Sequence, residues 1–272
     1  MTISASSSVF AILSAVVEER AGLHYGQGEQ ELFLERVSMR AEEAGFDSLL
    51  DYYYYLRYDP AGSRELDSLV AQLVVNETYF FREVEPLRRI VSRFVQPLVR
   101  AGRRPRIWSA ACATGEEPLT LAMLLAHAGL LSEVELVASD VSQRVLDVAQ
   151  AGNFSRRSLR HSVDPELARR WLREEGGRLR VDVELIEAID WRRVNLCVPS
   201  EAAAVGSCDV ILCRNVLIYF RDETVARVIE GLTAQLKSDG VVFVGISESL
   251  LRFGTALVCE EADQVFFYRK VS

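Results

Sequence analysis

No apolar run in this chain approaches the ~18–20 residues needed to cross a bilayer, and residues 1–8 lack the basic start and apolar stretch of a secretory signal. A cytoplasmic protein with no direct membrane insertion is expected. The five cysteines (Cys112, Cys197, Cys208, Cys213 and Cys259) form no CxxC pair and are odd in number. That argues against a disulfide framework and a structural zinc site, so buried reduced thiols and no metal are expected. A basic excess is also missing. The net charge is −8, whereas a phosphate backbone calls for a concentrated basic surface, so nucleic acid is excluded as a partner.

What is present is an ordinary globular mix. The chain has 272 residues, 49% hydrophobic and 26% charged, enough for a sizeable core and, at ~100–200 residues per domain, for two domains. Charge is unevenly spread. Residues 1–75 carry twelve acids against five arginines, a net of −7, whereas 86–106 hold seven arginines and no acid. An exposed helix face with solvated charges is the plain reading of that arginine run; a docking surface is the other.

The first seventy-five residues read as helices. Phe10, Leu13, Val16 and Val17 recur at helical spacing behind a serine cluster, and Gly22 stops them. Leu32, Arg36, Val37, Arg40, Ala41 and Ala44 fit a second helix closed by Gly45. Asp47 or Ser48 caps a third through Leu56, and a fourth runs over about 64–75. The tyrosines at 52–55 fit a helix with two turned inward and two at the surface. From Arg106 the rhythm changes. Apolar runs at 106–111, 135–139, 210–213 and 241–246 alternate with helical stretches at 119–128, 142–151 and 223–236, which implies a parallel sheet covered on both faces. Residues 264–269 read as one more strand, and 178–184, after Gly176 and Gly177, as a hairpin strand outside the main alternation.

In such sheets ligands bind at the carboxyl ends of the strands. After the first strand comes Cys112-Ala113-Thr114-Gly115-Glu116-Glu117-Pro118, a tight turn into a helix, without the GxxxxGK[ST] that holds a triphosphate. ATP is therefore disfavoured. Glu116 and Glu117 cap the helix or, alternatively, offer a counter-charge to a cationic cofactor. Asp140 ends the second strand, where an acid accepts hydrogen bonds from ribose hydroxyls. The third strand ends in Arg214-Asn215, a polar pair that either satisfies backbone or faces a ligand. Tyr219 lies one helical turn further on. The stretch 76–82, Asn-Glu-Thr-Tyr-Phe-Phe-Arg, suits an interdomain seam as readily as a site. His24, His127 and His161 fall outside these stretches, and surface or structural roles are expected for them.

NETYFFRE (76–83), IWSAACATGEEP (107–118), ASDVSQRVLDVA (138–149), VNL (194–196), CRNVLIYF (213–220) and GISES (245–249) resemble, in order and spacing, the motifs of the chemotaxis receptor methyltransferases, the CheR family. The resemblance implies an α/β fold, a Rossmann-like class I methyltransferase domain with a small helical N-terminal domain and a small inserted β-subdomain. The corresponding boundaries are 1–75 for the helical domain, 76–105 for a linker helix with the first cofactor motif, and 106–272 for the methyltransferase domain, with the insertion at about 155–190. It further implies a protein-glutamate O-methyltransferase acting in sensory adaptation as a monomer on the cytoplasmic domain of a chemoreceptor-like protein. By similarity, S-adenosylmethionine, and its product S-adenosylhomocysteine, would be held by Asn76, Thr78, Arg82, Glu117, Asp140, Asn195, Leu196, Arg214 and Asn215, with Arg82 and Tyr219 positioning the acceptor. Two departures stand out. The family's fourth-strand motif usually reads GHSE, whereas Ile246 replaces the histidine here, and its markedly basic second helix is replaced by ERVSMRAEEAG (35–45). A different acceptor, or a non-catalytic module that senses the cofactor, are the alternative readings.

Overall fold

The computed structural model describes residues 7–160 and 164–270. His161 and the residues ahead of the first helix fall outside that range. The chain forms two compact units, Met1–Val75 with Ile218–Val225, and Asn76–Leu217 with Ala226–Ser272. Among the described residues no helix is long and apolar enough to cross a membrane.

The first unit is built from α1 (Ser7–Ala21), α2 (Gln30–Glu43), α3 (Leu49–Tyr58) and α4 (Gly62–Leu73). Leu13, Val17, Phe33, Val37, Ala41, Leu69 and Leu73 are buried at helical spacing. Helix α4 begins at Gly62, two residues before Arg64, and a Cβ there would lie 2.2 Å from the Tyr55 carbonyl oxygen. Glycine is what lets α3 and α4 meet this closely. Of the tyrosine run, Tyr52 is buried, Tyr54 exposed, and Tyr53 and Tyr55 half-buried. Consecutive residues are spread by 100° around a helix, so two inward and two outward was too coarse an expectation.

A polar cluster beside this core joins α2, α3 and α4. Glu65 accepts from Arg40 Nε at 2.7 Å, Arg40 Nη2 at 2.6 Å and the Tyr52 hydroxyl at 2.7 Å. Burial, followed by the hydrogen bond to Glu65, holds the Tyr52 phenol well above its ordinary value. Arg36 donates to the Leu73 carbonyl. The two arginines retained in helix α2 are therefore turned into their own unit. Glu65→Ala is expected to lower the stability of this unit by ~1–3 kcal/mol, because it leaves the buried Tyr52 hydroxyl without its acceptor and Arg40 with Glu43 as its remaining ion-pair partner. Urea denaturation of the full chain, followed by tyrosine fluorescence, checks this.

Residues 218–225 complete the unit. Phe220 bridges to Leu23, His24 N–H donates to the Tyr219 carbonyl at 2.9 Å, and Arg221 pairs with Glu18 at 2.8 Å. His24 Nδ1, which accepts from Arg221 Nε at 2.9 Å, thus has a structural role.

The second unit begins with α5 (Val84–Arg89), which runs through a π-helical turn at Ile90–Val95 into α6 (Gln96–Arg100). Then follow β1 (Arg106–Ala110), α7 (Glu116–His127), β2 (Glu135–Asp140), α8 (Gln143–Ala151), β3 (Asn153–Ser155), α9 (Pro165–Trp171), β4 (Leu172–Glu175), β5 (Arg178–Val181), α10 (Val183–Glu187), β6 (Ile189–Arg193), α11 (Pro199–Ala203), β7 (Cys208–Cys213), α12 (Asp222–Gln235), β8 (Leu236–Phe243), β9 (Leu257–Ala262) and β10 (Val265–Lys270). Seven strands form one sheet in the order β6-β2-β1-β7-β8-β10-β9, parallel from β6 to β8, with β10 and β9 antiparallel. A separate antiparallel sheet, β3-β5-β4, is the small subdomain.

Three details differ from the sequence expectation. Strand β5 stops at Val181, because Asp182 accepts from Glu184 N–H at 3.1 Å and starts a helical turn. Strand β6, where no strand was expected, joins the edge of the large sheet beside β2. Strand β8 begins at Leu236 and ends at Phe243, with a register shift against β7 between Cys208 and Val210. Of the seven arginines in 86–106, Arg88, Arg89, Arg103 and Arg106 are ion-paired to Asp164, Asp263, Asp209 and Glu135. Most of that run ties elements of this unit together.

Candidate cofactor site

Strand order reverses beside β1, with β2 and β6 on one side and β7 and β8 on the other. A crevice opens at the carboxyl ends of strands at such a switch point. The loops after β1, β2 and β7 carry most of the residues singled out from the sequence.

After β1, Ala111 (φ 57°), Ala113 (φ 49°) and Gly115 (φ 92°) take left-handed backbone and turn the chain sharply into α7. Such conformations cost ~1–3 kcal/mol each for a non-glycine residue and persist only where the surroundings hold them. Here Ala113 N–H donates to Asp140 Oδ2 at 2.9 Å, and Cys112 N–H to the Ser139 carbonyl at 2.9 Å. A Cβ on Gly115 would lie 2.7 Å from Ala149 Cβ and 2.9 Å from the Trp191 ring, so the turn is clamped between α8 and β6.

Asp140 ends β2 and is buried; its second oxygen accepts from Ser142 N–H at 3.0 Å. Burial pushes its carboxyl above the ordinary value, against the lowering effect of the Ser142 and Ala113 amides. Those two bonds leave about half of the ~four lone-pair positions of a carboxylate for a ligand. Glu116, also buried, is raised by burial as well and accepts from the Thr114 hydroxyl at 2.6 Å.

Glu117 accepts from Ser109 Oγ at 2.8 Å and from Arg214 Nη1 at 2.7 Å. Arg214, whose side chain is only 1% exposed, also reaches Glu83 with Nη2 at 2.8 Å. Burial opposes its charge, and Glu117 and Glu83 outweigh that, so the guanidinium stays above its ordinary value. Asn215 (φ 60°) follows in a left-handed turn held by Glu248, whose carboxylate collects the N–H groups of Asn215 (2.7 Å), Leu217 (2.8 Å) and Gly245 (2.7 Å). The ends of β7 and β8 are thereby fastened to each other. After β6, Asn195 is buried: its N–H donates to Glu201 at 2.7 Å and its Oδ1 accepts from Cys197 N–H at 3.0 Å; Leu196 beside it is half-buried.

In the stretch ahead of α5, Asn76 is exposed, and Thr78 and Arg82 are half-buried. Phe81 N–H donates to Thr120 Oγ1 at 3.1 Å, Phe80 N–H to the Ser158 carbonyl at 2.8 Å, and Arg82 Nη1 to the Glu77 carbonyl at 2.7 Å. The structure thus gathers Glu117, Asp140, Arg214 and Asn215 around the ends of β1, β2 and β7. Tyr219 instead belongs to the helical unit through its carbonyl bond to His24, and no helix connects it to Asn215, because Leu217–Tyr219 is a single 3₁₀ turn. Glu83 and Glu248, both inside the quoted motifs, escaped sequence reasoning. Their partners lie 131 and 33 residues away in the chain.

The donor set says what fits. Around these strand ends stand five carboxyl groups, Glu83, Glu116, Glu117, Asp140 and Glu248, and Arg214 is already neutralised by two of them. Such a surrounding repels phosphate and suits a nucleoside with a cationic amino-acid end. Two buried polar atoms here, Ser142 Oγ and Arg214 Nε, have no hydrogen-bond partner among the described residues. Burial pushes the Cys112 and Cys213 thiols well above the ordinary value and Cys208 up to about 12, so these three stay protonated at neutral pH. No cluster of described His, Cys, Asp or Glu is arranged to hold a metal ion.

Residues 76–266 match the CheR methyltransferase SAM binding domain, and residues 8–74 the CheR methyltransferase all-alpha domain. The chain belongs to the CheR methyltransferase family. Chemotaxis protein methyltransferase 2 of Vibrio cholerae is 34% identical over 87% of this chain and 84% of its own length. Chemotaxis protein methyltransferase 1 of Pseudomonas aeruginosa is 31% identical over 91% and 92%, and the chemotaxis protein methyltransferase of Vibrio parahaemolyticus 33% over 91% of each. The activity that goes with membership of the CheR family is S-adenosylmethionine-dependent methyl transfer, and the strand-end site lies in the matched SAM binding domain.

Proposed function

We propose that this CheR-family chain is a protein-glutamate O-methyltransferase that esterifies glutamate side chains on the cytoplasmic domain of a chemoreceptor-like protein. The observation that carries the reading is the excess of carboxyl groups over cations at the β1–β7 switch point, suited to a cationic donor. In this reading Asp140 accepts from the ribose hydroxyls. Glu117, oriented by Ser109 and Arg214, faces the amino-acid end, and Asn76, Thr78, Asn195, Leu196 and Asn215 complete the cradle. When bound, S-adenosylmethionine supplies a sulfonium methyl open to attack by an anion. A glutamate acceptor, with an ordinary pKa near ~4.3, is already that anion at neutral pH, so no residue has to remove a proton. The work left to the protein is orientation and the exclusion of water at ~3–3.5 Å between the reacting atoms. Arg82 orients the carboxylate by a charge-assisted hydrogen bond.

One observation favours a second acceptor class. Arg36 and Arg40 of helix α2 face their own unit, while Glu31, Glu35, Glu42 and Glu43 are exposed. An acidic helix repels the acidic receptor surface that a basic one would attract. The deciding experiment gives the purified protein methyl-labelled S-adenosylmethionine and a chemoreceptor cytoplasmic domain, then treats the product with mild base. Label released as methanol is the expected result. Transfer that survives base, or none to that domain, contradicts the glutamyl ester.

A further inference from the structure

Two guanidinium groups converge on one tyrosine. Arg82 Cζ lies 5.7 Å and Arg160 Cζ 4.3 Å from the ring centroid of Tyr79. Both also hold Glu77: Arg82 through its carbonyl at 2.7 Å, and Arg160 through its carboxylate at 3.1 Å. Arg160 comes from a distant part of the chain, just past the 3₁₀ turn Arg156–Ser158 that follows β3. Its segment is fastened to the Tyr79 segment by backbone. Phe80 N–H donates to the Ser158 carbonyl at 2.8 Å, Phe80 bridges in parallel to Leu159, and the Phe80 ring stands edge-on to Phe154 at 5.0 Å. The position of Arg160 is therefore set by the fold and not only by a long side chain.

Two like charges at one ring repel each other. The tyrosine face and the single Glu77 carboxylate offset this in part. Each guanidinium also keeps donors without a partner among the described residues, since Arg82 uses only Nη1 and Arg160 only Nη2. Guanidinium forks with open donors, gathered at one ring, suit a planar carboxylate better than a neutral amide.

We infer that Arg160 is a specificity residue for the acceptor, acting with Arg82 across Tyr79 to select an ionised glutamate side chain. This rests on the reading that Arg82 orients the acceptor. It assigns the short segment after β3 a part in choosing the substrate, and adds to the site a residue that lies outside all six motifs.

The test compares wild type, Arg160→Ala, Arg160→Lys and, as a control on the same segment, Arg156→Ala. Among the described residues Arg156 pairs with Glu174 alone, at the surface. Methyl transfer to the receptor cytoplasmic domain is measured as KM and kcat, and cofactor affinity by calorimetry. Arg160→Ala is expected to raise the acceptor KM by about five- to tenfold, with kcat within about twofold and cofactor affinity unchanged. Arg160→Lys should recover at least half of that loss, and Arg156→Ala should behave as wild type. An unchanged KM in Arg160→Ala, or a fall in kcat together with cofactor affinity, overturns the inference while leaving the acceptor reading intact. Absence of transfer by the wild type overturns the acceptor reading and this inference with it.

Discussion

Replacing Asp140 with alanine is expected to weaken S-adenosylmethionine binding at least about a hundredfold, to the point where calorimetry detects none. The carboxylate stands at the end of β2 with two lone-pair positions taken by Ala113 and Ser142 N–H. The remaining ones suit a pair of ribose hydroxyls, and hydrogen bonds to a charged group are worth ~1.5–3 kcal/mol each. Alanine removes both and frees the Ala113 amide that fixes the glycine turn. A pH dependence follows from the same carboxyl. Burial raises its folded value above the ordinary one, so it takes up a proton at a higher pH than a solvent-exposed aspartate does. Cofactor affinity should therefore fall on the acid side, through that raised value. The stability of the free protein should move the other way. Between the ordinary and the raised value the folded state binds more protons than the unfolded chain, so this group makes stability fall as pH rises across that window. Asp140→Asn should flatten both trends, and affinity of the asparagine variant that still tracks pH as in wild type would reject the assignment.

Arg214→Ala is expected to be the most destabilising single change in the sheet unit. Its guanidinium is almost fully buried between Glu83 at 2.8 Å and Glu117 at 2.7 Å. Breaking a buried ion pair by removing one partner costs ~3–5 kcal/mol, because the other charge is left without compensation; here two carboxylates are left. For a unit of this size that corresponds to a loss of about ten degrees in melting temperature. Arg214→Lys keeps the charge but cannot serve both carboxylates through one planar fork, so an intermediate loss is expected. Differential scanning calorimetry checks the series, and a melting temperature for Arg214→Ala within about two degrees of wild type would show that the triad is not structural.

Much of this architecture can be read from residue order alone, for a physical reason. Strands buried on both faces, such as β7 with all six residues buried, must be continuous apolar runs, and the helices between them must show a helical stripe. Strands at the margins obey a different rule. In β6 only Ile189 is buried, and in β9 only Leu257, with charged residues in between, so neither stands out from a loop. The site divides in the same way. Asp140, Glu117, Arg214 and Asn215 sit at strand ends, and the loop position alone points to them. Glu83 and Glu248 act by closing contacts between distant parts of the chain, which no local spacing reveals. Tyr219 is a different case: a left-handed Asn215 and a single 3₁₀ turn separate the two residues, so helical spacing does not relate their side chains.

The most direct test of a cationic nucleoside site at the β1–β7 switch point is a calorimetric titration of the full chain with S-adenosylmethionine and S-adenosylhomocysteine. Saturable micromolar binding of both, at one site per chain, is the predicted result. A folded protein that binds neither would contradict the account at its centre, and would leave the acid-lined strand ends without a ligand to explain them.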